Sequence, residues 1–368
     1  LIEEWDWLAG ALALAIVTAR GGQEAKSAGV PTAEALRERR HILDRAVQAS
    51  LAAGVNLPIV HLAYRLGLSR VEIQSLLLAA ACEMHGGFRQ SCATLQGETV
   101  EPGPCLRLLH HLFVERETPL ASFVAEFTRS MLLHAGLARL VGTPLEQAVL
   151  RVDGRVLQHL FGHDIVEPTA RSYLRVDLES DEGEDVRMWE ALGERLAQPP
   201  ADFVPGLLLQ FIGRDDLPKR RAARATARRL GRPLLCLDVQ AAEGSSAENV
   251  AAIAAREALL RQGCVLLEHW DAPGAEQREG QAFRRELLRR LGQRAGIVFL
   301  LLDEAPREPL EWSKAILTYR FPPLDFGRRA QVWERSLAAW KGAHEELNAA
   351  TLAGRFRFQE GQIADVMR

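Results

Sequence analysis

The sequence predicts an α+β protein in which an N-terminal helical part precedes an α/β domain built on a parallel sheet. Three observations carry that prediction. From residue 207 onward, short uncharged apolar runs alternate with helical patterns, as expected of strands covered on both faces by crossover helices. Between residues 56 and 165, closely spaced helices end in two short runs suited to a hairpin, the order of a winged-helix domain. An acidic stretch, Asp177 to Asp185, separates the two and reads as a solvated linker.

Residues 1–55 carry two helical patterns separated by a breaker stretch from Gly21 to Pro31. The second starts at Thr32, an N-cap residue with Glu34 in the first turn, and ends at Gly54. Together they form a helical hairpin. In residues 56–165, Gly67 is followed by Ser69-x-x-Glu72, a capping box that opens an apolar helix from Val71 to Glu83. Further helices are expected at Cys105–Phe113 and Leu120–Leu133. Leu137–Val141 and Gln147–Val152, split by Gly142-Thr143-Pro144, are the hairpin strands.

Residues 166–200 are read as linker and helix. Residues 201–327 form the α/β core, with five parallel strands at Leu207–Ile212, Leu234–Val239, Cys264–Leu267, Ile297–Leu302 and Ile316–Tyr319. Residues 328–368 begin a helical lid.

Composition narrows the class. The 368 residues are 48% hydrophobic and 25% charged, with 45 Lys+Arg against 48 Asp+Glu. That excludes a disordered chain and a disulfide scaffold, and the net charge of -3 argues against a uniformly basic nucleic-acid binder. Only Lys26, Lys219, Lys314 and Lys341 are lysines, so nearly all basic residues are arginine. Five scattered cysteines suit reduced thiols in a cytoplasm. The uncharged run Leu8–Ala19 falls short of the roughly 20 residues of a membrane span, so no membrane partner is expected. The chain opens on Leu1 rather than Met and stops inside a helical pattern, which reads as a fragment of a longer protein.

In an open α/β sheet, ligands bind at the carboxyl ends of the strands, and phosphate sits at the first strand-to-helix turn. Here that turn is Gly213-Arg214-Asp215-Asp216-Leu217-Pro218-Lys219-Arg220. Gly213 and Lys219 fit the phosphate-binding spacing G-x-x-x-x-G-K-[ST], and two positions fail it. Pro218 replaces the second glycine, removing an N–H and the torsional freedom of the loop. Arg220 stands where a hydroxyl would hold Mg²⁺. Asp215 and Asp216 add negative charge where a triphosphate would lie. The acidic pair expected after the third strand is Glu268-His269, with Asp271 beyond. His269 replaces the carboxylate that orients attacking water. The fourth strand ends in Asp303, a position for a polar sensor.

These residues, with Phe321-Pro322-Pro323-Leu324, Arg328 and Trp333-Glu334, resemble an AAA+ ATPase core with its lid. Upstream, Gly67-Leu68-Ser69, Glu72, Leu76-Leu77-Leu78, Glu83, and Leu150 to Leu157 leading to Leu160 and Gly162, are similar to the winged-helix domain of a bacterial AAA+ subfamily. Its members sit beside phage-tail-like contractile injection systems. The resemblance implies a first, degenerate ATPase module with an intact one following it. It implies ATP and Mg²⁺ as cofactors of the full-length family protein and none in this module. It also implies a ring-forming homo-oligomer. Gly213, Lys219 and Arg220 are then a degenerate phosphate loop, and Glu268, His269 and Asp271 a degenerate acid segment with no confident catalytic residue and no metal site.

The expected function is a non-hydrolysing module that docks, assembles or regulates an ATP-driven remodelling machine, with protein partners on the winged helix. Two alternatives remain: an active ATPase using Lys219 on phosphate and Glu268 on the metal, and a DNA-binding regulator. For the latter, helix Cys105–Phe113 offers only Arg107, His110 and His111 as donors. Arginine stripes at Arg220, Arg221, Arg224, Arg228 and Arg229, and at Arg284, Arg285, Arg289, Arg290 and Arg294, suit either anion binding or a solvated face. Cys82-x-x-His85 with Cys92 and Cys105 lacks the spacing of a zinc site.

Overall fold

The computed structural model describes residues 1–20, 29–55, 57–97, 102–115, 117–177, 206–272, 277–340 and 347–367, together with Trp189, Leu192 and Glu194. The chain divides into two compact units, Leu1–Ile165 and Val166–Arg368. Among the described residues, no helix is long and apolar enough to cross a membrane.

The first unit opens with α1 (Ile2–Ala19) and α2 (Ala33–Ala52). Thr32 caps α2 as its sequence predicts, its hydroxyl accepting from Ala35 N–H. α1 is buried through Trp5, Leu8 and Leu12. The Trp5 ring meets His85 and Phe161 edge-on, and Trp7 donates to the Leu36 carbonyl, so both indoles serve packing. α3 (Pro58–Leu66) stops at Gly67, whose φ of 61° is the left-handed cap that glycine adopts without a Cβ penalty. The capping box follows: Ser69 Oγ accepts from Glu72 N–H, and Glu72 returns to Ser69 N–H at 2.7 Å. It starts α4 (Arg70–Met84), an unbroken buried run from Gln74 to Cys82. α5 (Gly86–Gln96) lies against it.

α6 (Leu106–Phe113) and α7 (Leu120–Phe127) are the next pair, followed by the single turn α8 (Met131–His134). The helix expected over Leu120–Leu133 is thus two, because Ser130 caps a new start by accepting from Leu132 N–H. β1 (Ala138–Val141) and β2 (Val149–Val152) form the expected antiparallel hairpin. Cys105, expected to start a helix, instead bridges Val149 of β2. This ties the start of α6 to the hairpin and makes α7 the second helix of the pair. α9 (Gly154–Leu160) is capped by Asp153.

The second unit is built on a six-stranded sheet: β3 (Leu174–Asp177), β4 (Leu207–Ile212), β5 (Leu234–Asp238), β6 (Cys264–Glu268), β7 (Ile297–Leu302) and β8 (Ile316–Arg320), in the order β3-β5-β6-β7-β4-β8. The five expected strands are present and mutually parallel. The sixth, β3, pairs antiparallel with β5 and corrects the reading of that stretch as linker. A four-residue edge strand with alternating charge has no apolar run to betray it. Of the acidic linker, only Asp177 belongs to the described residues.

The four inner strands, β4 to β7, read as apolar runs because both faces are covered, whereas the edge strand β8 is largely exposed. Leu208, Leu235, Val265 and Val298 face α12 (Ala247–Arg261) and α13 (Arg278–Arg294). Leu209, Cys236, Leu266 and Phe299 face α10 (Asp216–Arg229), whose Ala222, Ala223 and Ala227 allow close approach, and Trp189. A short α11 (Val239–Ala242) follows β5. The lid comprises α14 (Phe326–Ala339), α15 (Ala349–Arg355) and α16 (Glu360–Val366), with its own small core around Trp333, Ala353 and Ile363.

Candidate functional site

β4 lies between β7 and β8, although β5 follows it in sequence. The strand order therefore reverses beside β4, and a crevice opens at the carboxyl end of that strand. Gly213 sits at its floor. A Cβ there would lie 2.7 Å from the Phe321 carbonyl oxygen, so glycine is needed for close approach of the chain leaving β8.

The turn that follows is shorter than the sequence spacing suggests. α10 begins at Asp216, leaving Gly213-Arg214-Asp215 as the whole connection. Pro218 is the third residue of the helix, within the first turn where a missing N–H breaks no intrahelical bond. The N–H groups of a phosphate loop are thus drawn into a helical turn. Asp215 caps that turn with its own carboxylate, accepting from Leu217 N–H at 3.2 Å, which places a fixed negative charge where an anion would bind.

Lys219 is fully buried. Its Nζ donates to the carbonyls of Gly213 and Leu302, the latter at 3.0 Å. It also lies 2.8 Å from Asp216 Oδ1 and 3.7 Å from Asp303 Oδ1. Two of the ammonium's three protons go to these carbonyls, and the Asp216 carboxylate pairs with its charge.

Glu268, at the end of β6, is equally buried and meets two arginines. Arg175 on β3 donates to Oε2 at 2.6 Å, and Arg220 Nε forms a close ion pair with Oε1 at 2.9 Å. Burial disfavours the Arg175 charge, but Glu268 beside it more than compensates and raises its pKa. The Cys236 thiol is pushed up to about 12 by burial and by Glu268. His269 leaves the strand at a positive φ of 55°, and its Nδ1 lies 2.9 Å from Asp238 Oδ2. Asp271 accepts from Asp303 N–H at 2.6 Å. Burial raises its carboxyl pKa, against the lowering effect of that hydrogen bond.

The fold therefore brings Gly213, Lys219, Arg220, Glu268 and Asp271 to one end of the sheet. His269 turns toward the end of β5. Asp216, Asp303 and Arg175 complete the arrangement. Asp216 and Asp303 could be placed from their strand and helix ends, whereas Arg175 was hidden by the linker reading. The residues do not fit Mg²⁺-bound triphosphate: both oxygens of Glu268 face guanidinium groups, so a divalent cation there would meet two positive charges.

The arginine stripes are largely neutralised. Arg221 pairs with Glu360, Arg224 with Asp177, and Arg229 with Glu194. Arg284 pairs with Glu243, Arg289 with Glu286, and Arg290 with Glu248 and Glu286. In the first unit, Glu83 accepts both Nε and Nη2 of Arg151, at 2.5 and 3.0 Å, tying α4 to β2. Cys82 Sγ and Cys92 Sγ lie 3.6 Å apart, and their mutual hydrogen bond and burial push the Cys82 thiol up. Among the described residues, no group of three or more His, Cys, Asp or Glu is placed to hold a metal ion. The outward residues of α7, Ala121, Ser122, Ala125 and Glu126, include no Arg or Lys, and α6 carries the Arg107, His110 and His111 named above.

No curated protein matches the chain in sequence. Solved structures are similar over part of it, among them the following two. One, described as the structural basis for katanin self-assembly, is 16% identical with a TM-score of 0.39, covering 54% of this chain and 73% of that one. The other, a crystal structure of the FIGL-1 AAA domain in complex with ADP, is 13% identical with a TM-score of 0.38, covering 53% and 74%. Residues 14–172, just under half of the chain, match the family model of a winged helix domain, variant, and the first unit has that architecture.

Proposed function

We infer that this chain is a non-hydrolysing AAA+ type module joined to a winged helix, serving docking, assembly or regulation within an ATP-driven remodelling machine. One observation carries the reading: the groups that would handle nucleotide are each engaged by other groups of the chain. Lys219 is held by Asp216 and two carbonyls, and Glu268 by Arg175 and Arg220. Freeing either would leave a buried charge uncompensated. The winged helix serves protein docking, since the outer face of α7 has no Arg, Lys, Asn or Gln, the side chains that make bidentate contacts to bases. The sequence resemblance points to machinery beside contractile injection systems as the setting, and to a homo-oligomeric ring.

Steady-state ATP turnover tests this. The chain is expected to hydrolyse Mg·ATP no faster than its Lys219→Ala and Glu268→Gln variants. Turnover that both substitutions abolish would establish the active-ATPase alternative.

A further inference from the structure

We propose that Asp215 and Arg221 latch the helical lid onto the sheet without any nucleotide, so that the module is held in one lid position by its own side chains. The inference rests on the reading of the site as closed to nucleotide.

Asp215 has two duties. Its carboxylate caps α10 through Leu217 N–H, and it also accepts from Gly361 N–H of the lid, at 3.0 Å to Oδ2 and 3.3 Å to Oδ1. One residue earlier in the lid, Glu360 forms an ion pair with Arg221 of α10. The two contacts therefore join adjacent residues of α16 to the first part of α10, across a cleft of about 370 Å³ bordered by Arg214, Asp216, Arg220, Gln362 and Asp365.

The approach at Gly361 is close. A Cβ on residue 361 would lie 2.7 Å from Asp215 Oδ1, a distance that forces displacement. The lid is also connected through the chain after β8, where Phe321-Pro322-Pro323-Leu324 precedes α14. Its small core of Val332, Trp333, Ala353 and Ile363 lies within the lid itself. Asp215 and Arg221 are thus charge-assisted fasteners at a seam between two separately packed bodies. An anion entering at the start of α10 would have to displace the Asp215 carboxylate, and in doing so would release Gly361. Latching and phosphate binding exclude one another.

Amide hydrogen exchange on the whole chain tests the latch, read at residues 361–366 with and without Mg·ATP. Gly361→Ala and Asp215→Ala are expected to speed exchange there about tenfold or more, the loss of a hydrogen bond to a charged acceptor. Gly361→Ala raises the intrinsic helix propensity of α16, so faster exchange at residues 361–366 in that variant reports the lost contact rather than a weakened lid helix. Exchange in both variants as slow as in the unmodified chain overturns the latch and leaves the closed-site reading standing. Slower exchange in the unmodified chain on addition of Mg·ATP overturns the closed-site reading itself.

Discussion

Lys219 Nζ lies 2.8 Å from Asp216 Oδ1, one helical turn back along α10. The lysine at the phosphate-loop position is thus satisfied by a carboxylate that its own helix supplies. Asp216 is partly exposed and Lys219 is not, so the pair draws its strength from the buried end, where two carbonyls complete the ammonium's bonds.

Replacing Lys219 by Met should therefore cost folding stability rather than ligand affinity. The carbonyls of Gly213 and Leu302 and two carboxylates lose their shared donor. A loss of about 3 kcal/mol is expected, measured by urea denaturation at neutral pH. A variant as stable as the original would show that Lys219 is not held in this way.

Glu268 and Arg175 should be energetically coupled. A double-mutant cycle with Glu268→Gln and Arg175→Gln is expected to give an interaction energy of about 1–2 kcal/mol. The figure stays modest because Arg175 is half exposed and solvent screens its side. Additive single effects would remove Arg175 from the site.

Asp271 gives a pH signature. Its carboxyl pKa is raised in the folded chain above the ordinary 3.8 by burial, so the folded state binds this proton more tightly than the unfolded one. Stability from this group consequently rises as pH falls from the raised value toward 3.8, and its ionised form is a cost at neutral pH. Asp271→Asn, which keeps an oxygen to accept from Asp303 N–H, should be at least as stable as the original at pH 7. The difference should shrink on acidification. Loss of stability at pH 7 would contradict that assignment.

In the winged helix, Ser69→Ala should lower stability by about 1 kcal/mol, seen as a lower thermal midpoint. Ser69 and Glu72 satisfy each other's backbone N–H groups. A neutral result would mean that α4 is held by burial alone.

Much of the fold was legible because its signals are local. The four inner parallel strands are buried on both faces, so each stands out as an apolar run, and the capping box is a four-residue pattern. β3 was not legible: Leu174-Arg175-Val176-Asp177 is short, charged and on an edge, and only its pairing with β5 makes it a strand. The break at Ser130 was equally hidden, since the apolar period continues through it. In the site, Gly213, Lys219 and Glu268 follow from spacing, whereas the arginine from β3 depends on a pairing 93 residues apart in sequence. The early start of α10 could not be read from Pro218 alone, because proline is tolerated both in a loop and in a first helical turn.

Calorimetric titration of Mg·ATP into the chain tests the central claim most directly. With Lys219, Glu268 and the start of α10 each engaged internally, the expected result is no saturable heat of binding at millimolar nucleotide. Micromolar binding that is lost on Lys219→Ala would contradict it.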